Sequence, residues 1–178
     1  MNKHLSIVGF GNNRAVADFY PTPDYATEEL LKRENFEGSI WEPACGDGAI
    51  AKFFPNCVAT DLRSDLNYGQ GGVDFLQEYR KVDNIITNPP YSLGQEFIEH
   101  ALDCADRVVM LLKLVFLESM SRKKLYDRNM LKTVYVFRRR LKIYKDGLIG
   151  KNSGLIAYAW FVWDKSYKGK PYIEWIND

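Results

Sequence analysis

The sequence predicts an α/β fold: a mostly parallel β-sheet with helices on both faces and an antiparallel strand pair at its carboxyl-terminal end. Three observations carry the prediction. Over the first two-thirds of the chain, short apolar runs alternate with segments of helical periodicity. A glycine-rich turn, Glu42-Pro43-Ala44-Cys45-Gly46-Asp47-Gly48, joins the first of those runs to an apolar segment with helical spacing. Near the end, two strand-like runs over residues 155–163 and 171–175 lie close together, which suits an antiparallel finish.

The elements follow in order. Residues 7–11 (Ile-Val-Gly-Phe-Gly) superficially suggest a dinucleotide fingerprint, but position 14 is Arg, not Gly, and no helical pattern follows, so the segment reads as a loop. Thr22 is the expected N-cap and Pro23 the first residue of a helix reaching about Arg33, with Glu28 and Glu29 early in it. Residues 39–41 form a short strand that enters the glycine-rich turn, and Ala49, Ile50, Phe53 and Phe54 mark a helix after it. Residues 57–61 make the second strand, which ends in the Asp61 carboxylate. Asp74 and Phe75 end a third strand or cap a helix over residues 76–79. Ile85 and Ile86 form the core of the next strand. Ser92 and Gln95 have the spacing of a capping box for a helix to about Ala105, whose buried face carries Leu93, Phe97, Ile98, Ala101 and Leu102. Residues 107–112 form a fifth strand, 119–130 a helix and 133–137 a strand, followed by a loop to Gly154 and the closing runs. No repeat or low-complexity linker interrupts the pattern.

The segment that ties this frame to chemistry is residues 83–91, where an apolar pulse runs into Asn88-Pro89-Pro90-Tyr91. In α/β proteins the carboxyl ends of the strands are where ligands bind. Two consecutive prolines fix φ and lack N–H donors, so the Pro89 carbonyl is held beside the Asn88 carboxamide oxygen. Two acceptors converging on an exocyclic amine draw its lone pair out of ring conjugation and make the nitrogen a nucleophile. Tyr91 offers a flat face for a base. The plainer alternative is an Asn-Pro turn with a surface aromatic. Elsewhere, the glycines of residues 42–48 allow close approach of a ligand, an acidic residue at the mouth of that loop can bind an ammonium, and Asp61 is placed to accept from ribose hydroxyls. Asp74 and Phe75 offer an acceptor and an apolar face, the needs of an adenine ring. Without a Gly-Lys-Ser/Thr triplet, a triphosphate cradle is not indicated.

With 178 residues, 46% hydrophobic and 26% charged, the chain has the composition of one globular domain, read as spanning residues 1–178. Cys45, Cys57 and Cys104 are odd in number and lack a Cys-x-x-Cys spacing, and only His4 and His100 could join them. A disulfide framework and a structural metal site are therefore not expected, and a reducing cytoplasm fits. No signal peptide is expected at the start. The longest apolar run, residues 108–117, is broken by Lys113 and is too short to cross a bilayer.

Taken together, these motifs resemble the class I S-adenosylmethionine-dependent methyltransferases, specifically the DNA adenine-N6 type. Phe19-Tyr20-Pro21-Thr22-Pro23 is similar to that family's amino-terminal cofactor motif, residues 42–48 to its glycine-rich loop, and Asn88-Pro89-Pro90-Tyr91 to its catalytic motif. Residues 159–164 (Ala-Trp-Phe-Val-Trp-Asp) are similar to the final strand of small phage-encoded members. The resemblance covers nearly the whole chain and implies a Rossmann-like methyltransferase sheet and S-adenosylmethionine as cofactor. Tyr20, Thr22, Glu42, Ala44, Cys45 and Gly46 would then hold the methionine moiety, with Asn88 beside it. Asp61 would bind the ribose, and Asp74 with Phe75 the adenine. Asn88, Pro89, Pro90 and Tyr91 would form the catalytic turn, and Phe116 would wall the target pocket. Ala44 stands where many class I members have a glycine, a common variant in the adenine type.

A separate target-recognition domain is not expected, since neither the short gap between Asp74 and Asn88 nor the tail as read offers room for one. The charge pattern supplies a substitute. Residues 114–151 hold eleven basic side chains against three acidic ones, a local charge of +8 in a chain of net charge +1. Within this segment Arg138, Arg139 and Arg140 read as a phosphate-binding run. The expected activity is methyl transfer to the adenine amino nitrogen of DNA, either flipped from a duplex or single-stranded. Sequence readout would fall to the basic segment or to a partner subunit. The alternatives are a methyltransferase acting on adenine of structured RNA or on a protein glutamine, and a non-catalytic partner that binds cofactor or nucleic acid.

Overall fold

The structure is a computed structural model and describes residues 20–143 and 156–177. The reading of residues 7–11 lies outside these residues, as do Phe19 and, within the basic segment, Lys145, Asp146 and Lys151. Seven strands form one sheet: β1 (Ile40–Glu42), β2 (Cys57–Ala59), β3 (Val82–Thr87), β4 (Ala105–Lys113), β5 (Leu131–Phe137), β6 (Tyr158–Asp164) and β7 (Tyr172–Ile176). Their spatial order is β2-β1-β3-β4-β6-β5-β7. Neighbours pair in parallel except at β6, which lies antiparallel to both β4 and β5. The mostly parallel sheet with an antiparallel finish is therefore observed.

Both faces are covered, which explains why β4 reads as an unbroken apolar run. Val108, Met110 and Leu112 point to one side and meet Phe97, Ile98, Ala101 and Leu102 of helix α2 (Gly94–Cys104). Val109 and Leu111 point to the other and meet Ala26 and Leu30 of helix α1 (Asp24–Leu31). Val108 through Leu112 are at most 2% exposed, and each such side chain contributes about 1.5–3 kcal/mol of burial. Trp160 fixes α1 to the sheet, its indole N–H donating to the Ala26 carbonyl at 2.8 Å.

Several local expectations are corrected. Pro23 is the N-cap of α1, and Thr22 is buried and turned to another partner described below. The segment after Gly48 forms only a 3-10 turn, Ala51–Phe53, with no α-helix. Gly48 sits at φ +83°, where the Tyr68 ring occupies the space a Cβ would need, and Pro55 follows too soon for a second turn. Asp74 ends no strand: its carbonyl and carboxylate close a single turn by accepting from the amides of Gln77, Glu78 and Leu76. The Ser92/Gln95 capping box does not form. Tyr91–Leu93 makes a 3-10 turn instead, α2 starts one step later with Leu93 as its cap, and Gln95 donates to Glu99. The helix expected over residues 119–130 shrinks to a 3-10 turn and α3 (Lys123–Tyr126), ended by Asn129 at φ +54°. The tail strand β7 runs opposite to β6, but β5 lies between them and pairs with β7 in parallel.

Candidate active site

The chain leaves β1 toward β2 on one side and leaves β3 toward β4 on the other. The loops following β1 and β3 therefore diverge and open a crevice at the carboxyl edge of the sheet. A cavity of about 460 Å³ lies there, within the usual range for a small-molecule site. Of the expected residues, Tyr20, Thr22, Glu42, Ala44, Cys45, Gly46, Asp61, Asp74, Phe75, Asn88, Pro89 and Pro90 all line it.

The glycine-rich loop is bound to the end of β2 by its own backbone. The Cys45 amide donates to the Thr60 carbonyl and the Thr60 amide to the Glu42 carbonyl, both at 2.9 Å. Gly46, at φ +54°, turns its amide to donate to Asp61 Oδ2 at 2.8 Å, and the Arg63 amide donates to Oδ1 at 2.8 Å. Each Asp61 oxygen is thus held by one backbone donor and retains a lone pair for another. Glu42 is 2% exposed, and its Oε2 has no partner among the described residues. Burial pushes its carboxyl well above the usual carboxylate range, with Asp47 and Asp61 adding like charge against an opposing pull from the Ala51 amide. Burial likewise holds the Cys45 thiol at about 12, far from reactive thiolate character. Phe75 forms the apolar floor, wedged against Trp41 at 5.0 Å and Phe97 at 4.8 Å between ring centroids. A buried carboxyl with one oxygen lacking a donor, a second carboxylate on a backbone cradle and an apolar floor suit a ligand with a cationic group, a hydroxyl pair and a flat ring.

At the other lip, Asn88 is oriented by the amino-terminal segment. Its Nδ2 donates to the Tyr20 carbonyl at 2.9 Å and to Thr22 Oγ1 at 3.1 Å. Both amide hydrogens are thereby used, and Asn88 Oδ1 is left buried with no partner. An unsatisfied buried acceptor of this kind costs about 1–3 kcal/mol. That cost is recovered when a donor enters the cavity.

Tyr91, Phe116 and the arginine run are placed differently. Tyr91 does not line the cavity. Its ring lies against Tyr20 at 5.2 Å and Tyr158 at 5.4 Å, with Lys113 Nζ 4.8 Å from its centroid. Burial pushes its phenol far above the ordinary value, with Tyr158 adding to the shift, yet no hydrogen bond of acceptable geometry reaches its buried hydroxyl. Phe116 is a core residue, edge-on to Phe161 at 5.9 Å and covered by the Arg122 guanidinium at 4.1 Å. Arg138, Arg139 and Arg140 are exposed at the carboxyl end of β5, on the same edge as the cavity but three strand positions from β3, about 14 Å at the usual strand spacing. Their backbone is tied to the tail, the Arg138 amide donating to the Ile176 carbonyl and the Arg139 amide to Asn177 Oδ1. Sequence reasoning missed the apolar lining from Leu62, Val73, Leu76 and Leu93, together with Arg63. Arg63 and Leu62 stand directly after Asp61 and could have been read from that position. The others carry no sequence signal beyond being apolar.

No protein-family model and no curated protein sequence matches the chain. Solved structures do match its fold. One is an assigned RNA methyltransferase of Pyrococcus horikoshii, with TM-score 0.62 and 14% identity over 89% of this chain and 92% of that one. Another is the M protein of the type I restriction enzyme EcoKI, with TM-score 0.57 and 13% identity over 84% of this chain and 44% of that one. A third is a dimethyladenosine transferase from Plasmodium falciparum, with TM-score 0.53 and 12% identity over 82% and 62% of the respective chains. The chain spans less than half of the restriction-enzyme subunit. At these identities the likeness is one of fold, and the fold is the Rossmann-like sheet of methyltransferases. Among the described residues no helix is long and apolar enough to cross a membrane.

Proposed function

We propose that this chain transfers a methyl group from S-adenosylmethionine to the exocyclic amino nitrogen of adenine in DNA. The observation that carries the reading is the Asn88 carboxamide, whose donors are both tied down while its Oδ1 stays buried without a partner at the cavity lip. The Tyr20 carbonyl, which can only accept, favours this amide orientation, since a flipped Asn88 would set its oxygen against that carbonyl. A hydrogen-bond donor that enters the cavity satisfies Oδ1, and the N–H of an exocyclic amine is such a donor. The Pro89 carbonyl, fixed by the following proline, is assigned the second acceptor for the same amine.

The cavity's residues fit the cofactor. The orphaned Glu42 Oε2 suits its ammonium, Asp61 suits the ribose hydroxyls, and Asp74 with Phe75 suits the adenine. When bound, S-adenosylmethionine supplies a methyl group already activated on a sulfonium, so the protein needs no strong base. The work of the chain is positioning: Asn88 and Pro89 hold the amine by its hydrogens and stabilise the positive charge it develops. Tyr91 is assigned the stacking surface for the base, and Phe116 stays a supporting wall behind the turn. The exposed arginines at the end of β5, within segment 114–151, would bind phosphates, with further sequence readout left to a partner subunit.

Adenine in RNA is the second reading, favoured by the fold shared with an RNA methyltransferase and a dimethyladenosine transferase. Incubation with methyl-labelled S-adenosylmethionine and unmethylated DNA, RNA and protein pools, followed by digestion, distinguishes them. Label in N6-methyladenine from DNA is the expected result. Label in RNA adenosine or in glutamine overturns the DNA assignment, and label nowhere overturns the activity.

A further inference from the structure

Lys113 is the last residue of β4 and stands opposite Tyr158 in the β4–β6 ladder. In the strand order it lies between β3, which leads into Asn88, and β5, which leads into Arg138, Arg139 and Arg140. Its side chain is half-buried. The contact made by its ammonium is the face of Tyr91, 4.8 Å from the ring centroid, and no carboxylate pairs with it among the described residues. Several neighbouring cations are engaged by carboxylates or carbonyls instead. Lys123 pairs with Asp127, Lys132 with Glu34 and Arg107 with Glu34, while Arg122 donates to the carbonyls of Phe116 and Glu118. A partly desolvated ammonium resting on a ring is a weakly compensated charge. It faces the same edge as the catalytic turn and touches the residue directly after that turn's prolines.

We propose that Lys113 binds the phosphate adjacent to the target base, leaving the Tyr91 face as the nucleotide enters. This rests on the nucleic-acid reading above and adds a positioning residue to it. A base that reaches Asn88 brings its own phosphodiester to within a sugar's length of the turn, and a four-carbon stem anchored at the end of β4 spans that gap. Withdrawal of the ammonium from Tyr91 frees a ring face for the base. One residue thus couples arrival of the backbone to exposure of the stacking surface. It also bridges the cavity and the arginines at the end of β5 with a positive charge on the intervening strand.

The test uses oligonucleotides carrying a single adenine in randomised flanks, as single strands and as duplexes. They are made with natural linkages or with one neutral methylphosphonate on either side of the adenine. Lys113→Gln should lower kcat/KM on the natural substrate by roughly 10- to 100-fold, the scale of one charge-assisted contact. Its salt slope should be shallower by about 0.7 on single strands or 0.9 on duplex. The neutral linkage on one side of the adenine should cost wild type a similar factor and cost K113Q nothing further. Lys113→Arg should retain the sensitivity. Lys113→Met, which keeps the stem packed on the ring, replaces K113Q should the latter not fold. Equal methylphosphonate penalties in wild type and K113Q would overturn the assignment while leaving the activity standing. Failure of wild type to methylate any of the natural oligonucleotides overturns the nucleic-acid reading and Lys113's role together.

Discussion

Asn88→Ala separates catalysis from cofactor binding, and its cost can be worked from the contacts. The substitution deletes Oδ1, an acceptor for the target amine, together with the two bonds from Nδ2 to the Tyr20 carbonyl and Thr22 Oγ1. Loss of one preorganised polar contact to a developing charge slows the chemical step by roughly 10²–10³, about 2.7–4 kcal/mol. The structural cost is separate. Two acceptors lose their donor, but the Thr22 hydroxyl can rotate, so stability should fall by about 1–2 kcal/mol. Cofactor affinity should change little, because Glu42 and Asp61 are held by backbone groups that do not involve Asn88. Thr22→Val is the companion variant: it keeps Oδ1 but removes one of the two acceptors that orient it. It should slow turnover by about tenfold, consistent with losing one net hydrogen bond's worth of orientation. Single-turnover methylation with saturating cofactor reads the chemical step, and calorimetry reads cofactor binding. Turnover of N88A within threefold of wild type would refute the claim that this amide activates the amine.

Glu42→Gln should make the apo protein more stable at pH 8 than wild type, because burial raises the folded carboxyl above its ordinary value of 4.5. The native state then holds a proton the unfolded chain has lost, so wild type loses stability as pH rises above about 4.5 while the variant does not. Thermal unfolding across pH 4–8 checks this, and parallel curves for the two proteins would contradict it. Asp61→Ala should weaken S-adenosylmethionine binding by about 1.5–3 kcal/mol, measured by calorimetry, and an unchanged affinity would remove Asp61 from the site. Replacing Arg138, Arg139 and Arg140 with Gln should make the slope of log K against log salt shallower by about 2.7 on duplex DNA, with no change in cofactor affinity. An unchanged slope would show that these arginines are a solvated strand end.

The parallel sheet was legible because short apolar runs alternate with helical segments, and β4 is apolar on both faces, as a doubly covered strand needs. The cavity's main residues were legible for a related reason: Glu42 ends β1, Asp61 stands two residues past β2 and Asn88 directly follows β3, so their position along the chain also gives their position at the sheet edge. Short-range signals served less well. Thr22 and Ser92 have the chemistry of helix caps, but Thr22 is taken by Asn88, 66 residues away, and α2 starts too late for Ser92 to cap it. The segment after Gly48 has helical spacing but too few residues before Pro55 to close more than a turn, and the segment after Ser119 splits into a 3-10 turn and α3 before the left-handed Asn129 ends it. Tertiary structure alone decided the rest. Nothing local says that β7 will cross to the far side of β5, because that choice depends on which edge lies open once β4, β6 and β5 are paired. Nor does the sequence reveal that Phe116 lies beneath Arg122 or that Lys113 lies on Tyr91, since such contacts join residues that become neighbours only when separate strands end at one edge. The chain's order determined which groups reach that edge, and packing determined which of them face the cavity, the core or one another.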